Sequence, residues 1–324
     1  MSAILDRLPA LATTGVGSLP FARPAEAARH ALGAYAVPFC PQLPRLDGDM
    51  VSEWLGADPG RCGWTADRDR ERPAAWDAFV EQLAAKPPDH GMVKLQVTGP
   101  VTLAIALERG AGRMGAGASV VSLARDVCVW LAANAAGQVS RLAEVGIDAL
   151  VVVDEPGLAQ AGVSAVETEL WDPLRSVSSA WGLHVCGRVP WDLVGALELD
   201  VLSFDVAVHD LAAESRPVLE ALLCRGGRIA WGVLDPVGPE QAGDASGRAA
   251  ACVSATVRDG LPLERVAQLS LLTPSCGTGR LSPARERLVA ATLDAAAQST
   301  RDAVAAMAAK WGSDTSLRGA TLKR

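Results

Sequence analysis

Short apolar runs recur along the chain, and between them apolar residues return every three or four positions. The short runs predict seven strands: Leu11–Ser18, Val93–Gly99, Ala149–Glu155, Leu183–Gly187, Val201–Val206, Arg228–Leu234 and Leu269–Pro274. An eighth, weaker strand is predicted near Ala36–Pro41. None of these runs alternates strictly between apolar and polar residues, so we expect strands that are buried on both faces.

The segments with three- to four-residue periodicity predict helices between the strands. These helices are Pro24–Gly33, Trp76–Ala85, Val120–Val145, Val163–Trp181, Val189–Leu197, Leu211–Cys224, Pro239–Asp259 and Ser282–Trp311. Alternating strands and helices with short connections predict an α/β protein with a parallel sheet, and about eight such units favour a single closed (β/α)8 barrel. A doubly wound open sheet is the alternative, although no glycine-rich phosphate-binding fingerprint follows the first strand.

The composition narrows the class of protein. The 324 residues are 49% apolar, which is ample for one large core, and the formal net charge is −7. An acidic chain lacks the basic surface that nucleic-acid binding requires, no apolar run approaches the length of a membrane span, and the N-terminus lacks the features of a signal peptide. Seven widely spread cysteines argue against a disulfide framework. We therefore expect a cytoplasmic protein that binds neither nucleic acid nor membrane.

Residues 1–311 are predicted to form a single catalytic barrel, and residues 312–324 a polar C-terminal tail. One segment, Arg61–Arg72, interrupts the repeat of strands and helices because it is densely charged. We expect a solvated loop there, and a lid or partner-docking loop is the alternative.

Polar residues follow the predicted strands at the positions where a (β/α)8 barrel carries its functional groups. The strand ends contain Gly17-Ser18, Thr98-Gly99-Pro100, Asp154-Glu155-Pro156, His184-Val185-Cys186, Asp205, Asp235 and Ser275-Cys276-Gly277. In a closed barrel these ends converge on one mouth, so we expect a site there. Thr98-Gly99-Pro100 is equally compatible with a simple turn that ends a strand.

One imidazole and two thiolates stand among these strand ends. His184, Cys186 and Cys276 suit zinc, which favours tetrahedral coordination by nitrogen and sulfur. Ligands at the ends of distant strands exclude a zinc finger and predict a catalytic zinc instead. The alternative is core packing, because a buried cysteine often behaves as a small hydrophobe. The remaining cysteines are expected to be structural: Cys40, Cys62, Cys128, Cys224 and Cys252.

The same segments carry a family resemblance. They are Thr13-Thr14-Gly15-Val16-Gly17-Ser18, Thr98-Gly99-Pro100-Val101-Thr102, Asp154-Glu155-Pro156, His184-Val185-Cys186, Asp200-Val201-Leu202-Ser203-Phe204-Asp205 and Pro274-Ser275-Cys276-Gly277. In this order the chain resembles the catalytic, C-terminal barrel of cobalamin-independent methionine synthase. The resemblance implies a TIM barrel like those of methionine synthase and uroporphyrinogen decarboxylase, in a short, single-barrel, core-type member. It also implies a zinc enzyme that methylates the sulfur of homocysteine to give methionine.

The resemblance assigns roles to individual residues. The zinc ligands of the family fall on His184, Cys186 and Cys276, and its carboxylate ligand, a glutamate in the long enzymes, falls on Asp205. The alternative role for Asp205 is a hydrogen bond to His184 or the capping of a helix. His209, four residues later, is an alternative candidate for the zinc ligand.

Substrate contacts follow from the same resemblance. Asp154 should face the amino group of homocysteine, with Glu155 a further contributor, while Gly17 and Ser18 should hold its carboxylate. We name Asp154 and Asp235 as catalytic candidates. An additional family glutamate near the second strand has no clear counterpart; its place is taken by Leu46, with Asp47 and Asp49 adjacent.

The methyl donor is the point at which the chain departs from the long enzymes. Its sequence predicts one barrel where the long enzymes have two, and Gly232–Gly238 lacks the histidine that is thought to help protonate folate. Because methyltetrahydrofolate needs a general acid and methylcobalamin does not, we expect methylcobalamin or a corrinoid protein as donor. Two other functions stay open: a zinc thiol alkyltransferase for another small thiol such as coenzyme M, and a zinc-free barrel like uroporphyrinogen decarboxylase.

Overall fold

Seven parallel strands form a single curled sheet in the computed structural model. The model describes residues 3–56, 64–65, 72–112, 118–160, 167–209, 211, 215–238, 242–258 and 260–313. The strands are β1 (Ala12–Thr13), β2 (Met92–Thr98), β3 (Asp148–Asp154), β4 (Ala180–Val185), β5 (Val201–Asp205), β6 (Arg228–Leu234) and β7 (Ser270–Pro274). Their order is β1-β7-β6-β5-β4-β3-β2, and every pair is parallel. The expected parallel α/β fold is therefore present.

Helices connect the strands. They are α1 (Pro24–Ala34), α2 (Pro44–Asp47), α3 (Ser52–Leu55), α4 (Trp76–Ala85), α5 (Pro100–Gly110), α6 (Ala118–Glu144), α7 (Asp172–Arg175), α8 (Trp191–Ala196), α9 (Arg216–Cys224), α10 (Ala242–Ala255), α11 (Leu263–Gln268) and α12 (Pro283–Ser313). Short 3₁₀ helices occupy Ala3–Arg7, Pro156–Ala159, Thr168–Trp171 and Val206–Val208. Strands β2, β4, β6 and β7 are buried along their whole length, as the unbroken apolar runs predict.

The two edges of the sheet are joined by the segment 37–42. The amide of Val37 donates to the carbonyl of Thr13 beside β1, at 2.8 Å. On the other side the amide of Cys40 donates to Lys94 in β2 at 3.0 Å, and the amide of Lys94 donates to Pro38 at 2.8 Å. The segment thus lies where the weak eighth strand, Ala36–Pro41, was expected, although it makes isolated bridges rather than a regular strand. A sheet curled in this way is TIM-barrel-like.

The end of the barrel opposite the strand carboxyl ends is closed by apolar packing. Small and aliphatic side chains from the strands form a cluster there: Ala12, Val37, Met92, Leu150, Val152, Ala180, Val201, Ala230 and Leu271. Leu5 and Leu8, at the N-terminus of the chain, pack onto the same cluster. Because this end is filled with hydrocarbon, polar chemistry is confined to the other end of the barrel.

The helix predictions need correction in one bound and in several helices that were missed. The predicted helix Val163–Trp181 ends too late, because Ala180 and Trp181 begin the buried strand β4. Its first four residues lie outside the described part of the chain, and from residue 167 onward only short helical turns precede β4. Helix α5 was not predicted; it begins at Pro100, directly after the Thr98-Gly99-Pro100 strand end, where the missing proline amide costs no hydrogen bond. The short helices α2, α3 and α11 were not predicted either, because helices of four to six residues carry too little periodicity.

Three further expectations concern the periphery. Within α6, residues Ser119–Glu144 are long and apolar enough to cross a membrane by length and composition, contrary to the expectation that no segment is. A single helix of this kind is weak evidence for a membrane span. In the structure α6 packs against α5 and β3. Most of the charged segment Arg61–Arg72 lies outside the described residues. Helix α12 continues through residue 313, and the rest of the predicted tail also lies outside them.

Candidate active site

The strand register aligns polar side chains at the carboxyl end of the barrel. Thr98 of β2 pairs with Asp154 of β3, which pairs in turn with His184 of β4. A cavity of about 380 Å³ opens above these strand ends. Six residues predicted from the sequence line it: Ser18, Asp154, His184, Cys186, Asp235 and Cys276. Four chemically relevant residues that were not assigned a role line it too: Gln42, Asp49, Glu53 and Arg280.

His184 presents a nitrogen that has no partner. A hydrogen bond of 2.8 Å joins its Nδ1 to Ser203 Oγ on β5 and fixes the ring. Nε2 is buried without a hydrogen-bond partner among the described residues, and Asp154 Oδ1, at 3.9 Å, also lacks one. Burial, together with the charge of Lys94, lowers the pKa of His184 to about 3, so the imidazole is neutral at physiological pH. A neutral ring with one nitrogen held and the other free is prepared to ligate a cation.

Cys186 and Cys276 come together from β4 and from the loop after β7. Their sulfurs share a hydrogen bond, which lowers the pKa of Cys276 to about 6 and raises that of Cys186 well above its usual range. The backbone amide of Gly277 also donates to the Cys276 sulfur and favours its thiolate. The pair therefore holds one negative charge near neutral pH, with Cys186 as the donor and Cys276 as the acceptor.

The donor set suits zinc in kind. One neutral imidazole nitrogen and a thiol–thiolate pair line a single cavity, as the sequence predicted. Among the described residues, however, no three His, Cys, Asp or Glu side chains already stand together as a group able to hold a metal ion. His184, Cys186 and Cys276 thus share a cavity without forming a closed ligand shell.

Asp205 does not line this cavity. It ends β5, and its Oδ1 accepts the amide of Ala207 at 2.9 Å, which caps the following 3₁₀ turn. Its charge still reaches Cys276, whose pKa it raises. His209 packs edge-on against Trp191 and Phe204, and its Nε2 lies 3.2 Å from the carbonyl of Gly187. The capping role that was considered for Asp205 is the one its geometry displays.

Asp154 is a buried carboxylate beside a buried lysine. Only 6% of Asp154 is exposed, and burial raises its pKa, while the charge of Lys94 acts in the opposite direction. Lys94 Nζ donates to the carbonyls of Gly15 and Val16, the latter at 2.7 Å, and to Gln96 Oε1 at 2.9 Å. These three acceptors match the three protons of an ammonium group, so Lys94 ties β2 to the loop after β1.

Glu155 faces away from the cavity. It is fully buried, and its carboxylate accepts the amides of Val101 and Thr102, both at 2.9 Å, and the Thr102 hydroxyl at 2.7 Å. A carboxylate at these positions satisfies the first free amides of α5 and complements its dipole. Burial nevertheless raises the pKa of Glu155 to about 7. Its acceptor positions are already occupied by α5 rather than turned toward a substrate.

The loop after β1 packs directly on the loop after β7. Ser18 Oγ accepts the amide of Gly279 at 3.3 Å, and the Ser18 carbonyl accepts the amide of Thr278 at 3.0 Å. A Cβ added at Gly277 would lie 2.2 Å from Ser18 Oγ, so this approach requires glycine. The expected glycine at position 17 is likewise enclosed, by the side chains of Gln42 and Gln96. This packing carries Ser18 and Cys276 to one wall of the cavity.

Asp235 is exposed at the cavity rim, where its Oδ1 accepts the amide of Val237 at 2.9 Å. Leu46 takes the place of the additional family glutamate, and its side chain is exposed. Of the adjacent carboxylates, Asp47 accepts the amide of Ala74, and Asp49 lines the cavity. Sequence reasoning missed Lys94, Gln42 and Arg280. The lysine near the start of the apolar run Val93–Gly99 was a usable signal, because a charged side chain that is buried in a strand needs a partner.

Among the comparisons with known proteins, the search of solved structures gives a match. No protein-family model matches the chain, and no curated protein matches it. Among solved structures, the chain is similar to a methyltransferase from Methanosarcina mazei, with a TM-score of 0.60 and 16% sequence identity. The match covers 92% of this chain and 96% of that one. At so low an identity the likeness establishes a common α/β, TIM-barrel-like fold.

Proposed function

We propose that the chain is a zinc-dependent methyltransferase that transfers a methyl group to the thiol of homocysteine, as a core-type methionine synthase. The observation that carries the proposal is the shared cavity of His184, Cys186 and Cys276, in which a buried imidazole nitrogen has no partner among the described residues. The likeness to a methyltransferase over nearly the whole chain supports methyl transfer in general. An eight-stranded barrel, with 37–42 as the irregular eighth strand, is part of the proposal.

Zinc would be held by His184, Cys186 and Cys276, with Asp205 as the candidate for a fourth, weaker ligand. When bound, zinc ionises a coordinated thiol, which is mostly protonated in water, and so supplies the nucleophilic sulfur. The protein prepares its own donors for such an ion. Ser203 orients the imidazole, and the hydrogen bonds from Cys186 and Gly277 hold Cys276 as a thiolate.

The remaining residues are assigned to substrate binding. Asp154, whose Oδ1 is buried without a partner in the described part of the chain, would receive the substrate ammonium group. An ammonium group would lower the pKa of this carboxylate and make it a better counter-ion. Ser18 would contribute a hydroxyl to the carboxylate of the substrate. Asp235, at the rim, would contact the methyl donor rather than the thiol.

For the donor we propose methylcobalamin, free or on a corrinoid protein, rather than methyltetrahydrofolate. The segment Asp235–Gly238 contributes no histidine to the rim of the cavity, so the general acid that folate chemistry requires has no obvious source there.

The deciding experiment combines metal analysis with a turnover assay. Purified protein should hold about one equivalent of zinc, and Cys276→Ala should lose it, whereas Cys224→Ala, an exposed cysteine at the end of α9, should not. Homocysteine is then supplied with methylcobalamin or methyltetrahydrofolate separately, and methionine is measured. Asp154→Asn should raise the KM for homocysteine by about tenfold or more, because the ammonium loses a charged partner.

Each alternative has its own outcome. Less than about half an equivalent of tightly held zinc would contradict the proposal and favour a zinc-free barrel like uroporphyrinogen decarboxylase. Zinc binding without methionine from either donor would favour another small thiol, such as coenzyme M. Such an enzyme has no need of an ammonium site and should tolerate Asp154→Asn.

A further inference from the structure

Three hydrogen-bond donors with unused protons line one wall of the cavity. They belong to Ser18, Gln42 and Arg280. Only Ser18 was predicted from the sequence, and nothing in the resemblance points to the other two. Together they face the same space as the Cys276 sulfur.

Gln42 is a buried amide that lacks an acceptor. The residue is 7% exposed, and its Nε2 has no partner in the described part of the chain. Its backbone is fixed, because its amide donates to Gly17 at 3.1 Å and its carbonyl accepts the amide of Leu19 at 2.9 Å. These bonds set Gln42 beside Ser18, with which it forms an isolated parallel bridge. Because a buried N–H without an acceptor destabilises the folded protein, the position is suited to a ligand that supplies an acceptor.

Ser18 retains a donor as well. Its Oγ accepts the amide of Gly279 at 3.3 Å, which leaves the hydroxyl proton free to point into the cavity. Ser18 and Gln42 therefore offer two neutral donors side by side.

Arg280 supplies the positive charge. Among the described residues that line the cavity it is the single Lys or Arg, and within the described chain it makes no hydrogen bond or ion pair. Its charge lowers the pKa of Cys276 and of Asp49. Asp49 Oδ1 accepts the amides of Val51 and Ser52, and among the described residues no direct hydrogen bond joins Asp49 to Arg280.

Asp154 and Arg280 reach the cavity from different elements of the barrel. Asp154 and His184 stand at the ends of neighbouring strands β3 and β4, whereas Arg280 lies in the loop after β7, four residues beyond Cys276. A ligand with an ammonium group toward Asp154 and an anion toward Arg280 matches this arrangement in sign.

We propose that Gln42 and Arg280 form, with Ser18, a subsite that selects substrates by a negatively charged head group, a carboxylate or a sulfonate. The inference rests on the proposed function for the identity of the substrate as a thiol. The subsite itself is defined by its donors and recognises the anion whether or not a thiol is attached. Gln42 and Arg280 are specificity-determining residues in this scheme, and neither takes part in the chemistry at sulfur.

The test measures binding by calorimetry, so that no methyl donor is needed. Two matched pairs serve as probes: homocysteine with homocysteine amide, and the thiol-free norleucine with norleucine amide. Each amide keeps the ammonium group and loses the negative charge. The wild-type protein should bind each acid at least about tenfold more tightly than its amide, since charged hydrogen bonds to arginine are strong.

Variants assign that preference to residues. Arg280→Gln should reduce the preference for the acid to about threefold or less. Arg280→Lys should keep part of the preference, because lysine retains the positive charge but lacks the paired donors of the guanidinium group. Gln42→Met, which preserves volume, should reduce the preference by a smaller factor. Arg225→Gln is the matched control: it removes the same charge just before β6, at the opposite end of the barrel, and should leave the preference unchanged.

The outcomes separate this inference from the proposed function. If norleucine is preferred over its amide and Arg280→Gln abolishes the preference, the subsite stands even where homocysteine is not methylated. Tighter binding of 2-mercaptoethanesulfonate than of homocysteine would keep the subsite and identify a sulfonate as its anion. Equal binding of acid and amide by the wild type, or an equal loss in Arg225→Gln, would overturn it.

Discussion

At the scale of single residues, the two cysteines of the site are chemically different although their sequence contexts are similar. Cys186 donates its hydrogen bond and Cys276 accepts, so the negative charge rests on Cys276. Each thiol also has a backbone hydrogen bond, but the nearby charges differ: Asp154 raises the pKa of Cys186, whereas Arg280 lowers that of Cys276. The sequence predicts both thiols as zinc ligands and does not indicate which one ionises first.

We predict that Cys276 of the metal-free, reduced protein reacts rapidly with iodoacetamide at pH 7. Its reactivity should fall as the pH decreases through about 6, because the thiolate is lost below that pKa. In Cys186→Ala the midpoint should rise toward the usual value of about 8.5. Peptide mass spectrometry resolves the cysteines, and exposed Cys224 is the internal control. A Cys276 midpoint that is unchanged in Cys186→Ala would contradict the hydrogen-bonded pair.

Lys94 is the second residue whose role depends on its surroundings. Substitution by methionine keeps the aliphatic stem and leaves the carbonyls of Gly15 and Val16 without their donor. We expect Lys94→Met to lower the free energy of unfolding in urea by about 3 kcal/mol or more, as for other broken buried charge networks. The exposed Lys86→Met should change it by less than about 0.5 kcal/mol. An effect of similar size at both positions would contradict the tethering role of Lys94.

At the scale of elements, the site depends on the contact between two loops more than on any helix. The loops after β1 and β7 are joined by the bonds of Ser18 with Thr278 and Gly279. Gly279 is enclosed: an added Cβ would lie 2.7 Å from the Pro44 ring and 2.9 Å from Ser18 Cβ. The sequence shows a glycine-rich loop and does not show what fills the space beside it.

We therefore predict that Gly279→Ala destabilises the protein by about 2 kcal/mol, within the range of other overpacked sites. It should also weaken the binding of amino-acid ligands, because Ser18 is displaced with the loop. Gly247→Ala in α10 is the control, since nothing lies within 4 Å of its added Cβ. That change should be neutral or stabilising by up to about 1 kcal/mol. Thermal unfolding of both variants measures the change in stability, and calorimetry on the folded variants measures ligand binding. Equal unfolding temperatures for the two variants would contradict the enclosure of Gly279.

At the scale of the whole molecule, the proposed zinc ligands belong to strands that are not neighbours. Cys186 and His184 belong to β4 and its end, Cys276 follows β7, and two strands lie between them in the sheet. An ion held at this place links both halves of the curled sheet. Zinc binding should then be coupled to global stability, because the unfolded chain does not bring these ligands together.

We predict that zinc raises the unfolding temperature and that a chelator reverses the increase. At a free zinc concentration about 1,000 times the Kd, the gain is about 4 kcal/mol. The gain should vanish in Cys276→Ser and persist in Cys224→Ser. A zinc-dependent increase of equal size in both variants would place the ion elsewhere and contradict the ligand assignment.

Much of the fold was predictable because strand periodicity is a local property. The strand Arg228–Leu234 and the helix Trp76–Ala85 have the bounds that their patterns predict. The errors arose where local pattern is ambiguous: residues before β4 are apolar enough for a helix, and the residues near Pro38 bridge two edges without forming a strand. In each case a distant partner, rather than the local sequence, decides the conformation.

The sequence by itself determined the parallel α/β architecture, the position of polar residues at strand ends and the convergence of His184, Cys186 and Cys276 on one cavity. These follow from the order and period of residues along the chain. Tertiary structure alone decided that Glu155 accepts the first amides of α5 and that Asp205 caps a turn. It also decided that Gln42 and Arg280 line the cavity. The physical reason is that a side chain's role depends on which donors and acceptors surround it in space, and most of those belong to segments far away in the sequence.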